Sequence, residues 1–550
     1  MSANTQSQEL PRAEAPATDS NVFSNLANRL IAVPTALIIL VAIGAFLRLF
    51  QIGVEGFWHD EVTMMNLAVG PWSGIVDQID NGRPALFQVL GYIWTHIFGD
   101  SEAAARMLSA TASILSIFVM YQLTLEWFNR RIAFVATLFF VFSGFLVFQA
   151  QNFRYYGVYV LMVLLSFYFY NRALLSGKPR DFVPYVLFSA LTFYGHSHGM
   201  FVNFAQGVYF LAQFYRYDWR RIGWRWALSQ VVILGLIAFG LYQVLGGTSE
   251  GNLAPTWIEP PSIIAPIRTF VRFYFYWPNY FALVALAAAG WFFVSMLIIQ
   301  LRAAGIGGWT RSIRQLPAET NSYLKDYSRT TVLVAFWLFF TIATPWAISY
   351  VIEPIFVDRY LLAASPALFI LVAVVLYNLR NVLPEIAIVG AILIIQVRGL
   401  YLYYDEPFNE QWPETTAYLE ANTQPGDIVV VTSNSEPRRA QVRETFEWYY
   451  TGDLEICEYL DYGWEPEHAQ VLADVQDCVA GYDRVWITSL DWNEEEFAFA
   501  DIVGTFTEDI ENPWELVEIR RWYRTILYLF ELPEDEGDIV ALLSRLNIDE

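Results

Sequence analysis

A chain of 550 residues that is 55% hydrophobic, 17% aromatic and only 16% charged, with a mean hydropathy of +0.35, is not an ordinary soluble protein. Apolar runs of spanning length recur through the first 400 residues and specify a polytopic α-helical membrane protein. The net charge of −22 is unevenly divided: residues 401–550 carry 35 acidic and 8 basic side chains, leaving 20 acidic and 25 basic before them. So acidic a tail excludes nucleic acid as a partner and disfavours tight contact with anionic lipid.

In chain order, residues 1–28 read as a disordered cytoplasmic tail. They are polar, rich in Ala, Ser and Pro, and lack the basic start and short apolar core of a cleavable signal. Residues 29–404 read as the membrane domain. About eleven spans are expected, near 31–50, 106–127, 132–150, 156–174, 183–196, 199–215, 226–245, 279–301, 330–352, 361–379 and 382–402. After the first span comes a loop over 54–83, then a short helix from Pro84 to Phe98 that cannot cross a bilayer. Arg130 and Arg131, then Arg172, Lys178 and Arg180, then Arg216, Arg220, Arg221 and Arg225, then Arg302, Arg311, Arg314, Lys325 and Arg329 fall in alternate loops. The positive-inside rule makes these loops and the N-terminus cytoplasmic. The loop at 54–83, the one at 246–278 and the C-terminus then lie outside.

Residues 405–550 read as an extracytoplasmic α/β domain. A helical pattern over Glu414–Thr423 is followed by a turn at Gln424-Pro425-Gly426-Asp427 and a β-branched strand at 428–432. A second helical stretch at 468–479 leads to a strand at 484–488, and 523–530 alternates like a third. Cys457 and Cys478, the only cysteines, both fall here. The sequence accommodates either a bridge or two separate buried thiols.

The most informative residues are Asp60 and Glu61, in the segment FWHDE just past the first span. Carboxylates beside a membrane are costly unless they face water or do chemistry. Other polar residues stand at the same ends of later spans: Arg83, Arg154 in FQAQNFRYYG, His196 and His198 in YGHSHG, and Asp358, Arg359 and Tyr360 in VDRYL. One carboxylate with several arginines suits transfer of a sugar from a glycosyl phosphate. The departing phosphate needs cations, which guanidinium supplies bidentately, and the acceptor hydroxyl needs one base. Adjacent residues point in different directions, so only one of the two acids can face the sugar carbon. Asp60 is the favoured base, and Glu61 positions the acceptor or orients a neighbour. No Asp-x-Asp, Walker or Rossmann motif appears, which favours a lipid-linked donor over a nucleotide sugar.

The series of segments resembles the GT-C superfamily of membrane glycosyltransferases. It is most similar to the branch of protein O-mannosyltransferases and aminoarabinose transferases, which use polyprenyl-phosphate sugars. FWHDE is similar to the family's acidic motif, and RPALFQVLGYIWTHIFGDSEAAARMLSA to its juxtamembrane helix and following span. FQAQNFRYYGVYVLM, FYGHSHG and DRYLLAASPAL resemble later motifs in the correct order. PGDIVVV and DRVWITS resemble the external domain of bacterial and archaeal members.

The resemblance implies Asp60 as catalytic base with Glu61 its acidic partner. It places Arg154 and Arg359 near the lipid phosphate and His196 near the pocket; from the residues themselves, Arg83 is expected to add a phosphate contact, and His59, Tyr155, His198, Asp358 and Tyr360 to line the pocket. The chain departs from the family at Arg83-Pro84-Ala85, where many members carry His-Pro-Pro or an acid, and at Asn152, where Glu is usual. No cofactor is expected: His196 and His198 are the one pair suited to a divalent metal, and on a helix their side chains diverge.

The expected function is transfer of a sugar from a polyprenyl-phosphate donor to an external acceptor, in a multi-pass protein of the plasma membrane. The competing readings are a lipid-diphosphate oligosaccharide transferase and a lipid or sugar transporter. A transporter calls for mid-membrane charges and internal repeats, whereas here the charges crowd one end of the spans and no repeat is visible.

Overall fold

The computed structural model describes residues 33–80, 85–243, 258–274, 318–378, 382–431, 436–457, 477–490 and 514–532. Helices stand at ten of the eleven expected span positions, and the remaining one, 279–301, lies outside the described residues. Six of them are long and apolar enough to cross a membrane: Glu102–Trp127, Tyr156–Ser176, Trp219–Tyr242, Arg329–Val351, Asp358–Asn378 and Val382–Asp405.

The first helix, α1 (Val33–Leu49), leads into a segment that departs from expectation. Residues 54–83 are not a plain loop but carry α2 (His59–Val69) and α3 (Trp72–Asp80). No glycine or proline interrupts 59–69, and Asp60 and Glu61 occupy its first turn, where acids favour the exposed amide ends. Gly70 and Pro71 end α2 and separate it from α3. The short helix α4 (Leu86–Phe98) follows, then α5 (Glu102–Trp127), whose start is capped by the Ser101 hydroxyl accepting from the Ala104 amide.

The next expected span is broken. α6 (Arg130–Phe142) and α7 (Gly144–Ala150) meet at an angle of 60°. Asn129 caps α6, and Ser143 caps α7 at the break. A bend leaves carbonyls at the end of α6 without helical partners, and a buried arginine supplies them. Arg48 of α1 donates to the Val141 carbonyl at 3.3 Å and the Phe140 carbonyl at 3.4 Å, with a further bond to Ser113 Oγ at 2.8 Å. The fully buried guanidinium thereby holds the broken helix from outside it.

Beyond it, α8 (Tyr156–Ser176) packs on α5, where Gly157 lies so close that a Cβ would meet the Ser109 carbonyl at 2.5 Å. Helices α9 (Pro179–Gly195), α10 (Gly199–Gln213), α11 (Trp224–Tyr242), α12 (Ala265–Tyr274) and α13 (Ala318–Val351) follow. A 3₁₀ turn (Asp358–Ala364), α14 (Ser365–Asn378) and α15 (Val382–Asp405) complete the bundle.

After α15 the described residues build a mixed sheet. Helix α16 (Trp412–Asn422), strand β1 (Ile428–Val431), helix α17 (Glu436–Tyr449), and strands β2 (Glu455–Ile456), β3 (Arg484–Leu490), β4 (Glu515–Trp522) and β5 (Thr525–Glu531) give the order β2-β1-β3-β5-β4. Strand β1 is parallel to β2 and β3, whereas β5 is antiparallel to β3 and β4. All four β1 side chains are buried because both faces are covered. Val429 and Val431 meet Trp412, Leu419, Val442 and Phe446, while Ile428 and Val430 meet Val485, Ile487 and Phe530. The expected strands at 428–432, 484–488 and 523–530 thus fall on β1, β3 and β5; Tyr523 and Arg524 form the β4–β5 turn, with Arg524 at φ +61°. Most of the expected helix at 468–479 lies outside the described residues. Cys457 and Cys478 form a disulfide.

This sheet layer grips the segment that carries Asp60. Glu55 accepts from the Phe408 and Asn409 amides at 2.7 and 2.9 Å, and Asn409 Nδ2 donates to the Gly56 carbonyl at 2.9 Å. The Tyr449 hydroxyl takes the Phe57 amide and donates to Glu102 at 3.0 Å. Gly56 lets the two parts approach: a Cβ there would meet Pro413 at 2.6 Å.

Candidate active site

Because 60 and 61 are neighbours in one helical turn, their side chains part. Glu61 turns inward and is fully buried. Its carboxylate takes Arg106 Nε at 2.9 Å, Arg106 Nη2 at 2.7 Å and the Phe153 amide at 2.6 Å. Arg106 then spends its remaining donors on the Ile52, Glu55 and Gly56 carbonyls. Glu61 is therefore a buried anchor and does not stand beside Asp60 as a second reacting acid. Arg106 is the partner the sequence reading missed; the signal was an arginine on an otherwise apolar helix, which calls for a carboxylate.

The Asp60 side chain keeps an exposed edge of 21%. Its Oδ2 lies 3.3 Å from Arg154 Nη2, and Arg154 Nη1 donates to the Asp60 carbonyl at 2.9 Å. On the other side His59 Nε2 is 3.5 Å from Asp60 Oδ1. Burial alone would raise the Asp60 carboxyl, but Arg154, then His59 and Arg359, outweigh it and hold it below the usual carboxylate range. Asp60 is an anion at neutral pH.

Arg154 stands in the turn between α7 and α8, and Ser109 Oγ donates to its carbonyl at 2.8 Å. Its guanidinium lies over the Tyr155 ring at 5.0 Å. Neighbouring Asn152 accepts from the Trp58 indole at 2.6 Å and so ties the FWHDE segment to this turn. Arg359, in the 3₁₀ turn before α14, lies over the Tyr360 ring at 5.6 Å and acts electrostatically on Asp60 and Tyr156.

Aromatic rings line the adjoining wall. His196 is 5.1 Å from Tyr155, 4.8 Å from Tyr360 and 5.0 Å from His198 between ring centres. These histidines sit on the turn between α9 and α10, not on one helix as expected. His198 donates its backbone amide to His196 Nδ1 and its ring Nε2–H to the Ile355 carbonyl, at 3.0 Å each. Burial brings the His198 imidazole down to about 4, against the raising effect of that carbonyl, so it is neutral at pH 7. One nitrogen of each ring is thus already engaged. Among the described residues no three His, Cys, Asp or Glu side chains converge as a metal site.

Asp358 turns from this group toward α12, pairing with Arg272 Nη1 at 2.7 Å and the Thr269 hydroxyl. Arg83 lies outside the described residues. The structure thus gathers Asp60, His59, Arg154, Tyr155, Arg359, Tyr360, His196 and His198, while Glu61 and Asp358 serve other partners.

Residues 83–242 match the family described as dolichyl-phosphate-mannose-protein mannosyltransferase. In three dimensions the chain is similar to ArnT from Cupriavidus metallidurans, solved in the apo state and bound to undecaprenyl phosphate. Identity is 13%, 90% of this chain and 98% of that chain are covered, and the TM-score is 0.55. The chain has the fold of a GT-C membrane glycosyltransferase. A more distant likeness is to the oligosaccharyltransferase of Archaeoglobus fulgidus, at 13% identity over 86% of this chain and 70% of that chain, with a TM-score of 0.46. No curated protein matches the chain in sequence.

Proposed function

We propose that this protein is an inverting membrane glycosyltransferase that moves a sugar from a polyprenyl-phosphate donor to an acceptor hydroxyl. The observation that carries the reading is Asp60: a partly exposed carboxylate, kept ionised by Arg154 and Arg359, beside a wall of aromatic rings. The acceptor oxygen attacks the anomeric carbon, and the bond from that carbon to the phosphate oxygen breaks with its electron pair remaining on the phosphate. The hydroxyl proton passes to Asp60. Arg154 and Arg359 stabilise the charge that grows on the leaving phosphate. As that phosphate draws on the same guanidinium, Asp60 loses part of its ion pair and becomes a stronger base when the proton arrives. The matched mannosyltransferase family and the undecaprenyl phosphate bound to ArnT support a lipid-linked donor.

The reading places the site on the extracytoplasmic face of the plasma membrane, with residues 1–28 cytoplasmic. Its support is that Arg131 pairs with Glu385, and Arg221 and Arg225 donate to the Ser176 and Gly177 carbonyls, at the loops that the positive-inside rule makes cytoplasmic. Residues 29–404 form the catalytic membrane domain, and 405–550 an external α/β domain over the site. The chemistry as written draws on arginine and calls for no metal.

The test is turnover of defined polyprenyl-phosphate sugars by purified protein, with and without EDTA, read as released polyprenyl phosphate. Release that survives EDTA and is lost in Asp60→Asn supports the reading. Transfer only from lipid diphosphates, or only with divalent metal, would replace it.

A further inference from the structure

In the proposed reading the C-terminal layer lies over the site, and one of its leading residues reaches the base itself. Glu410 lies between α15 and α16 and is 1% exposed. A carboxylate so buried must be paired and hydrogen-bonded to be tolerated. Its Oε2 accepts from the Trp412 indole at 2.9 Å, and its Oε1 faces His59 Nδ1 at 3.3 Å. On the far side of the same imidazole, Nε2 faces Asp60 Oδ1 at 3.5 Å. The imidazole is thus bracketed by two carboxylates, one from the membrane part and one from the sheet layer.

Glu410 is itself held in register. The next residue, Gln411, donates its amide to the Tyr523 carbonyl at 3.2 Å, and its Oε1 accepts the Tyr523 amide at 2.8 Å. Arg524, at the tip of the same β4–β5 turn, lies over the Phe408 ring at 5.8 Å. The hairpin turn therefore clamps 408–411 from one side while Glu55 and Gly56 clamp it from the other.

Resting on the proposed glycosyl transfer, we infer that Glu410 is a positioning residue for the base, acting through His59. Glu410 accepts the Nδ1–H of His59, which fixes the ring plane so that an Nε2–H points at Asp60 Oδ1. The oriented ring in turn limits the rotation of the Asp60 carboxylate and leaves its free edge toward the acceptor hydroxyl. Glu410 forms and breaks no bond and contacts no reacting atom. The C-terminal layer then sets turnover as well as covering the site.

The test combines kinetics with a readout that needs no substrate. Glu410→Gln keeps size and the contact with Trp412 while removing the charge, and should lower kcat about 10-fold or more with the donor KM within about twofold and unchanged thermal unfolding. His59→Gln should fall similarly, and the double variant should be no worse than His59→Gln alone, because both losses run through one ring. Unchanged kcat in Glu410→Gln, a loss confined to KM, or additive losses in the double variant would each overturn the inference.

Nitrogen-15 NMR of the five histidines, with His59 assigned by its own variant, reads directly which ring nitrogens carry a proton. A proton on Nδ1 in the unmodified protein that is lost or exchanging in Glu410→Ala is expected. An unprotonated His59 Nδ1 in the unmodified protein overturns the inference whatever the sugar chemistry proves to be. Failure of turnover with every lipid-linked donor, beside the expected NMR result, would instead count against the glycosyl-transfer reading and leave the Glu410–His59 geometry standing.

Discussion

Glu61 gives both carboxylate oxygens to the guanidinium of Arg106 and is wholly buried, one residue from an aspartate that keeps an exposed edge. The pair of acids divides by geometry: one anchors the segment, and the other keeps an open edge.

Removing one member of that buried pair should therefore act on folding before it acts on catalysis. Glu61→Gln or Arg106→Met should destabilise by about 3–5 kcal/mol, since each leaves the other uncompensated. The double change to apolar residues should cost less than the two singles together. Thermal unfolding in detergent measures all three, and unchanged melting in both single variants would show that the pair is not an anchor.

Asp60→Asn should leave melting nearly unchanged and lower transfer by about 10²–10⁴-fold, the usual contribution of a positioned base. Initial rates at saturating donor and acceptor provide the check. Near-normal turnover in a well-folded variant would remove Asp60 from its proposed role.

The pH dependence carries a definite sign. With the folded-state carboxyl of Asp60 held low by Arg154, the acid limb of kcat/KM should fall below the ordinary aspartate value of about 3.9. In Arg154→Gln the lowering charge is lost while burial remains, so the limb should move upward. For folding, the Asp60 pairing contributes above the unfolded-state value and is lost as pH falls through the depressed one. A limb that does not move in Arg154→Gln would assign it to another group.

Opening the Cys457–Cys478 bridge should weaken the sheet layer. The bond closes a loop with a sequence separation of 21, and releasing a loop of that size costs on the order of 3 kcal/mol. Cys457→Ser should make β1–β3 more accessible to hydrogen exchange while leaving the helical bundle protected. Equal exchange in both forms would mean that the sheet does not depend on the bridge.

Much of the site was legible in the sequence because membrane topology sorts residues by end. Asp60, Arg154, Arg359 and His196 lie far apart in sequence, but each follows or precedes a span at the same end, so counting spans brings them together. The pairing of Glu61 with Arg106 is less legible: adjacent side chains part, which turns Glu61 away from Asp60, but nothing local names the cation 45 positions on that takes it. Glu410 had no local signal at all. It is one acid among the 35 of residues 401–550, and only its burial against Trp412 and His59 distinguishes it. Likewise α2 and α3 are masked in the local pattern, because turn residues at 70–71 and 81–84 outweigh two short helices.

The contact between His59 and Glu410 spans 351 positions of the chain, and this separation has a consequence for synthesis. Asp60, Arg154 and Arg359 all precede Glu410 in the order of synthesis. A chain made only as far as Arg359 would therefore carry the base and its arginines without the orienting carboxylate. Until the last part of the protein is made and docked, such a chain would work at the reduced rate expected of Glu410→Gln.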